Sequence, residues 1–119
     1  MSLPTPQEPE RDFEFLLLQY VRPGSHPKNI AVLLFDAPTD ALRMQFPVQW
    51  QGMEEEELEL LTLLAEDLQA KAQEMGASRL VSYLEDNLSN TLRLSDRSPI
   101  RTPDPDAELA RLFDLHVKV

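Results

Sequence analysis

Residues 13–22 read FEFLLLQYVR, and residues 29–36 read NIAVLLFD. In the middle of each run, apolar side chains occupy both faces of a two-residue period, which is typical of strands inside a sheet. The connecting residues 23–28 read PGSHPK, and their prolines and glycine favour a turn without regular pairing. We therefore predict that the two runs are neighbouring interior strands, joined as an antiparallel hairpin.

A third apolar segment follows a short turn. Residues 42–48 read LRMQFPV, and their apolar side chains alternate with polar ones, which is typical of a strand with one face in water. Pro47 has no N–H to donate to a neighbouring strand, so the segment belongs at a sheet edge or ends there. Short links between the first three strands predict antiparallel neighbours.

Helical patterns occupy much of the remaining chain. In residues 53–75, apolar side chains recur at helical spacing, which predicts one long amphipathic helix lying on the sheet. Gly76 suits the left-handed residue that often ends a helix. We expect a second helix from about Ser78, which can cap it, and a last helix that begins with Asp104 as its cap and Pro105 in its first turn.

The other segments complete the predicted fold. Residues 91–94 are typical of a short strand, residues 95–103 of an irregular loop rich in proline, and the alternating tail 116–119 of an added edge strand. Together the elements predict an α+β fold, an antiparallel sheet of about four strands with two or three helices packed on one face.

The length of 119 residues predicts one domain. Residues 1–11 carry three prolines among polar side chains, which predicts a flexible leader, and residues 12–119 then form the single α+β domain. The chain has no cysteine, which excludes disulfides and thiolate chemistry. We find no secretory signal and no apolar run long enough for a membrane helix, so we expect a cytoplasmic protein.

The formal net charge is −10, from 21 acidic and 11 basic residues. Phosphate backbones and anionic lipids would be repelled, so we expect no nucleic-acid partner and no membrane partner. Arginines at 93, 97 and 101 keep nucleic-acid binding as a remote alternative. An acidic surface favours basic partners or cations, although solubility is its ordinary interpretation.

One polar cluster stands out near the end of the second predicted helix. It contains Glu85, Asp86, Ser89 and Asn90. Such carboxylate and amide groups can hold a cation or act as an acid and a base. The alternative, which we favour, is that Ser89 and Asn90 end the helix while the acids pair with arginine at 79, 93, 97 or 101.

A second candidate lies at the polar end of the first hairpin, where pairing brings Gln19 and Arg22 near Asn29. Asn29 is also our candidate to join the Glu85 cluster, although a structural role is the simpler interpretation. The histidines, His26 and His116, are expected to be solvated or weakly packed. We find no catalytic motif, so no cofactor and no metal is predicted.

Several segments resemble one bacterial family. Residues 84–95, LEDNLSNTLRLS, resemble that family's acidic, Ser-Asn and alternating apolar segment, and residues 104–109, DPDAEL, resemble the start of its last helix. The end of the first strand and the Asn-x-x-Val-x-Leu pattern from Asn29 also fit. The chain resembles, from about residue 13 to residue 117, the family called domain of unknown function 3037.

The resemblance has departures at the hairpin end. Gln19 stands where family members often have arginine, and residues 26–31, HPKNIA, replace an acidic residue, a Phe or Val and a later glycine. If the family binds something there, this chain has altered the site. The resemblance implies no activity, but some relatives occur beside genes for HipA-like kinases, which implies a protein partner.

Two functions follow as expectations. The first is a small interaction or accessory module without catalytic activity, acting with a protein partner, such as a HipA-like kinase, or as a homodimer. The alternative is a small enzyme or metal-binding domain that uses Glu85, Asp86 and Asn90.

Overall fold

The computed structural model describes residues 10–21, 24, 26–47, 54–86 and 92–117. Within them lie five strands and three helices. The strands are β1 (Arg11–Tyr20), β2 (Lys28–Asp36), β3 (Ala41–Gln45), β4 (Leu92–Leu94) and β5 (Ser98–Thr102). The helices are α1 (Glu55–Met75), α2 (Ala77–Asp86) and α3 (Pro105–His116).

The strands form one antiparallel sheet in the order β3-β2-β1-β4, and β5 also pairs with β1. The hairpin register places Leu17 opposite Val32, and a bulge shifts the register near Gln19. β5 pairs with the first half of β1 and β4 with its last residues, so β1 is bonded on both edges. The α+β class and the antiparallel hairpin are confirmed.

Apolar side chains of the hairpin point to both faces of the sheet. Leu16 and Leu33 pack with α1 and α2 on one face, whereas Val32 and Leu34 pack with α3 on the other. This arrangement explains why both runs are apolar on both faces of the period. Two helices share one face, as predicted, and the third covers the opposite face.

Three predicted details differ from the structure. The stretch 95–103 is not a loop throughout, because β5 lies inside it with Pro99 opposite Glu14. Proline is tolerated in β5 because it forms part of the sheet's outer edge. The predicted strand in the tail is also wrong at its start, since α3 continues to His116 and Val117 follows as its cap. β1 begins at Arg11, a residue that we had placed in the leader.

The remaining predictions of local structure are confirmed in part. Asp104 caps α3 and Pro105 is its first residue, as predicted. β3 ends at Gln45, two residues before Pro47. Residues 1–9, 48–53 and 118–119 lie outside the described residues, so the rest of the leader and the start of the predicted long helix are not described.

The start of α2 is capped from a distant turn. The Asp40 Oδ1 atom accepts hydrogen bonds from the Ser78 N–H and hydroxyl, each 2.7 Å long. The Ser78 side chain is therefore not the cap that we predicted, because Asp40 fills that role from the β2–β3 turn. Gly76 has the positive φ that we expected, at +85°, and a Cβ there would lie 2.6 Å from Asp40 Oδ2.

Gly76 should be hard to replace. Its φ of 85° and ψ of 160° fall in a region that only glycine adopts readily, at a cost of about 1–3 kcal/mol for other residues. We expect Gly76→Ala to lower the free energy of unfolding by at least about that amount, measured by urea denaturation. Gly24→Ala is the matched control, since Gly24 also has positive φ, at +76°, but a Cβ there would have no atom of the described residues within 4 Å. Equal losses in the two variants would contradict the clash with Asp40.

Candidate functional site

The polar end of the hairpin is tied to α3. Asn29 Oδ1 accepts a 2.9 Å hydrogen bond from Gln19 Nε2, and Asn29 Nδ2 donates a 3.0 Å bond to the backbone oxygen of His116. The His116 ring also stacks on Phe15, with 5.7 Å between centroids. Both polar groups of the Asn29 amide are therefore engaged in joining β1, β2 and α3. Arg22 lies outside the described residues.

Glu85, at the end of α2, is engaged by an arginine. Arg97 donates to both Glu85 oxygens, at 2.7 and 3.3 Å, and its guanidinium also lies 3.6 Å from Glu14. Hydrogen bonding to Glu85 raises the pKa of Arg97 above its usual value. Pairing of this acid with arginine, the interpretation that we favoured, is confirmed for Glu85. Asp86 is exposed, and Ser89 and Asn90 lie outside the described residues.

The structure does not bring Asn29 and Glu85 together. Glu85 is held at the level of Glu14 and on the α1–α2 face, where Arg97 also lies 5.7 Å from the Phe35 ring centre. Asn29 meets Gln19 on the α3 face. Gln19 is five positions after Glu14 along β1, which is about 17 Å. Within the described residues, no group of three His, Cys, Asp or Glu side chains is placed to hold a metal ion.

A buried carboxylate was not among the residues predicted from the sequence. Asp36 ends β2 with only 2% of its surface exposed. Its Oδ2 atom accepts from Arg11 Nη1 at 2.9 Å and from the Thr39 hydroxyl at 2.7 Å. The Arg11 guanidinium lies 4.9 Å from the Phe13 ring centre. Asp36 therefore fastens the first residue of β1 to the end of β2, and an acid that closes an apolar run was the available signal.

A pocket of about 440 Å³ opens between β3 and α1. The apolar part of its wall includes Leu42 and Met44 of β3, and the polar part includes Gln69 and Gln73 of α1. Asp40 lies on its rim, beside the start of α2. The pocket therefore combines a carboxylate and two amides with aliphatic surface.

The outer face of α1 carries two exposed leucines. Leu60 and Leu63 are 58% and 60% exposed, whereas Leu61 and Leu68 of the same helix are buried. Residues three apart on a helix are neighbours, so the exposed pair forms one apolar patch. Carboxylates border that patch at helical spacing, at positions 56, 59, 66 and 67. We call the two leucines and these four acids the outer face of α1.

The ion pair of Arg11 and Asp36, in which the carboxylate is buried and the arginine is 45% exposed, should stabilise the fold more than a fully exposed pair. In a double-mutant cycle with Arg11→Gln and Asp36→Asn, we expect a coupling energy of about 1–3 kcal/mol in urea unfolding. Arg101 and Asp12 provide the matched pair, since they likewise join two neighbouring strands, β5 and β1, but are 64% and 79% exposed. Their coupling should be much smaller because water screens it. Equal coupling in the two cycles would contradict a structural role for burial at Asp36.

The cap of α2 should make the stability depend on acid pH. The bonds from Ser78 hold the pKa of Asp40 below its ordinary value of 3.8. A lowered folded-state pKa adds stability that is complete above the unfolded-state pKa and is lost as pH falls through the folded-state pKa. We therefore expect Asp40→Asn to lower the Tm at neutral pH and to flatten the fall in Tm below about pH 4. Asp86→Asn, at the other end of α2, should leave that fall unchanged.

No family model, curated protein or solved structure matches this chain. The resemblance to domain of unknown function 3037 therefore stays a prediction. Among the described helices, none combines the length and the apolar composition needed to cross a membrane.

Proposed function

We propose that this chain is a protein-interaction module, and that the outer face of α1 binds a partner segment that is both apolar and basic. The exposure of Leu60 and Leu63 carries the proposal. These side chains are not needed for the core, because Leu61 and Leu68 already supply the buried side of α1. Covering a leucine side chain stabilises a contact by roughly 1.5–3 kcal/mol.

The charge of α1 selects among partners. Seven carboxylates and one lysine lie in α1, so the helix itself is strongly acidic. A second copy of the chain would place one acidic helix against another, and like charges at an interface disfavour association. A partner with Lys or Arg around an apolar stripe would pair with the carboxylates and cover the leucines. We therefore favour a basic partner over the homodimer.

An enzymatic or metal-binding role gains no support from the described residues. The Glu85 carboxylate is bonded to Arg97 through both oxygens. Asn29, its candidate partner, is bonded to Gln19 and His116 on the other face of the sheet. The interaction module is therefore the function that the geometry supports best, and the family resemblance makes a HipA-like kinase one candidate partner.

A titration with a model helix tests the outer face. The probe is an amphipathic peptide of leucine and lysine, and a leucine–glutamate peptide of the same pattern controls for charge. We expect the lysine peptide alone to bind, and the double substitution Leu60→Ser with Leu63→Ser to weaken that binding at least about tenfold by calorimetry, which corresponds to about 1.4 kcal/mol. The same titration with a purified HipA-like kinase tests that candidate.

Leu115→Ser is the matched control, because Leu115 is also exposed, at 58%, but lies on α3. It should leave the affinity unchanged. An equal effect of the α1 and α3 substitutions would overturn the assignment of the face. A stable dimer in light scattering that the α1 substitutions dissociate would show a second copy as the occupant instead.

A further inference from the structure

The outer edge of β3 borders the pocket. Within the described residues, β3 pairs with β2 on one side, and no strand pairs with its other side. Alternate residues of such a strand direct their N–H and C=O groups outward. We propose that this edge binds an extended peptide as an added strand, and that the pocket takes one lysine or arginine side chain of that peptide.

The geometry of strand addition places side chains over the pocket. Leu42 and Met44 lie two residues apart on β3 and both line it, so the pocket is on one face of the sheet beside the open edge. A peptide that pairs with β3 continues the pleat and directs every second side chain toward that face. The main chain would supply affinity, and the pocket would supply the preference among side chains.

The wall of the pocket favours a long basic side chain. An aliphatic stem would lie against Leu42, Met44 and Ala72, as lysine and arginine stems do on apolar surfaces. The Asp40 Oδ1 atom is occupied by Ser78, and its Oδ2 atom, which takes no part in those two bonds, lies beside Gly76. Asp40 supplies the negative charge at the rim, and the Gln69 and Gln73 amide oxygens are further acceptors. The net charge of −10 would also attract a basic peptide.

This site is separate from the two leucines of the outer face of α1, and Glu66 of that face, three residues before Gln69, lies between the two surfaces. Gln69 is nine residues from Leu60, which is about two and a half helical turns, so the two side chains leave α1 in opposite directions. The two surfaces can therefore be tested independently, and a failure at one leaves the other intact.

A short capped peptide of alternating threonine and valine, with lysine at its centre, tests the proposal. Titration of the full chain, followed by amide NMR, should give saturable shifts at residues 41–45 and at Gln69 and Gln73. Norleucine in place of the lysine keeps the stem but removes the charge, and should weaken binding about tenfold or more. A third peptide, N-methylated at every residue, cannot donate any main-chain hydrogen bond to β3 and should not bind.

Gln73→Trp should abolish binding by filling the pocket from an exposed position. Ala70→Trp is the matched control, since Ala70 is also exposed on α1 but does not line the pocket. The Leu60→Ser, Leu63→Ser variant should bind the peptide unchanged. The lysine–norleucine comparison uses the unaltered chain, so it decides the matter even if Gln73→Trp fails to fold.

Three outcomes would overturn the proposal. Equal affinity for the lysine and norleucine peptides would show that the pocket does not select a basic side chain. Shifts at residues 58–66 instead of β3 would place the peptide on the outer face of α1. Free n-butylamine that reproduces the pocket shifts, while no peptide perturbs the β3 amides, would show an amine site without strand addition.

Discussion

The bonding of β1 along both of its edges is the constraint on which the rest of the structure depends. β2 pairs with one edge of β1, while β5 and β4 share the other edge in succession. The hairpin is also covered on both faces, by α1 and α2 on one side and α3 on the other. The middle of a strand in that position is apolar on both faces, and neighbouring strands take up main-chain groups on both of its edges. We therefore place both proposed binding surfaces at the periphery of the fold.

The same constraint explains why the predicted polar site residues have structural roles. Gln19 and Asn29 lie where the central strands leave the core, and their amides bond to each other and to the end of α3. Glu85 and Arg97 form an ion pair on the α1–α2 face, near the other end of β1. These residues fasten the helices to the sheet. The surfaces on which we propose binding are instead on α1 and beside it, one with the exposed leucines and one with the pocket next to β3.

Elements with a local sequence signal were predicted correctly. Contacts between residues distant in sequence were not predicted. Two apolar runs gave the hairpin, and the helical spacing of leucines gave α1. β5 was missed because Pro99 and its polar neighbours look like a loop until β1 is placed beside them. Asp36 and Arg11 are 25 residues apart, and Asp40 and Ser78 are 38 apart. No local pattern reveals which residue pairs with which, even where, as for Asp36, the position of an acid at the end of an apolar run is itself unusual. For Glu85, the sequence indicated an arginine partner but did not show which of four arginines it is, and the structure has Arg97 in that place.

The interrupted far edge of the sheet has a consequence for how copies of this chain behave when crowded. That edge is made of two short strands, three and five residues long, and proline occupies the second of them. A growing stack of sheets requires every molecule to accept a neighbour on both sides. Within the described residues, the β3 edge is a single unbroken strand, whereas the opposite edge changes from β5 to β4 along its length. Two copies that met edge to edge through β3 would leave only these interrupted edges on the outside, which disfavours the addition of further strands.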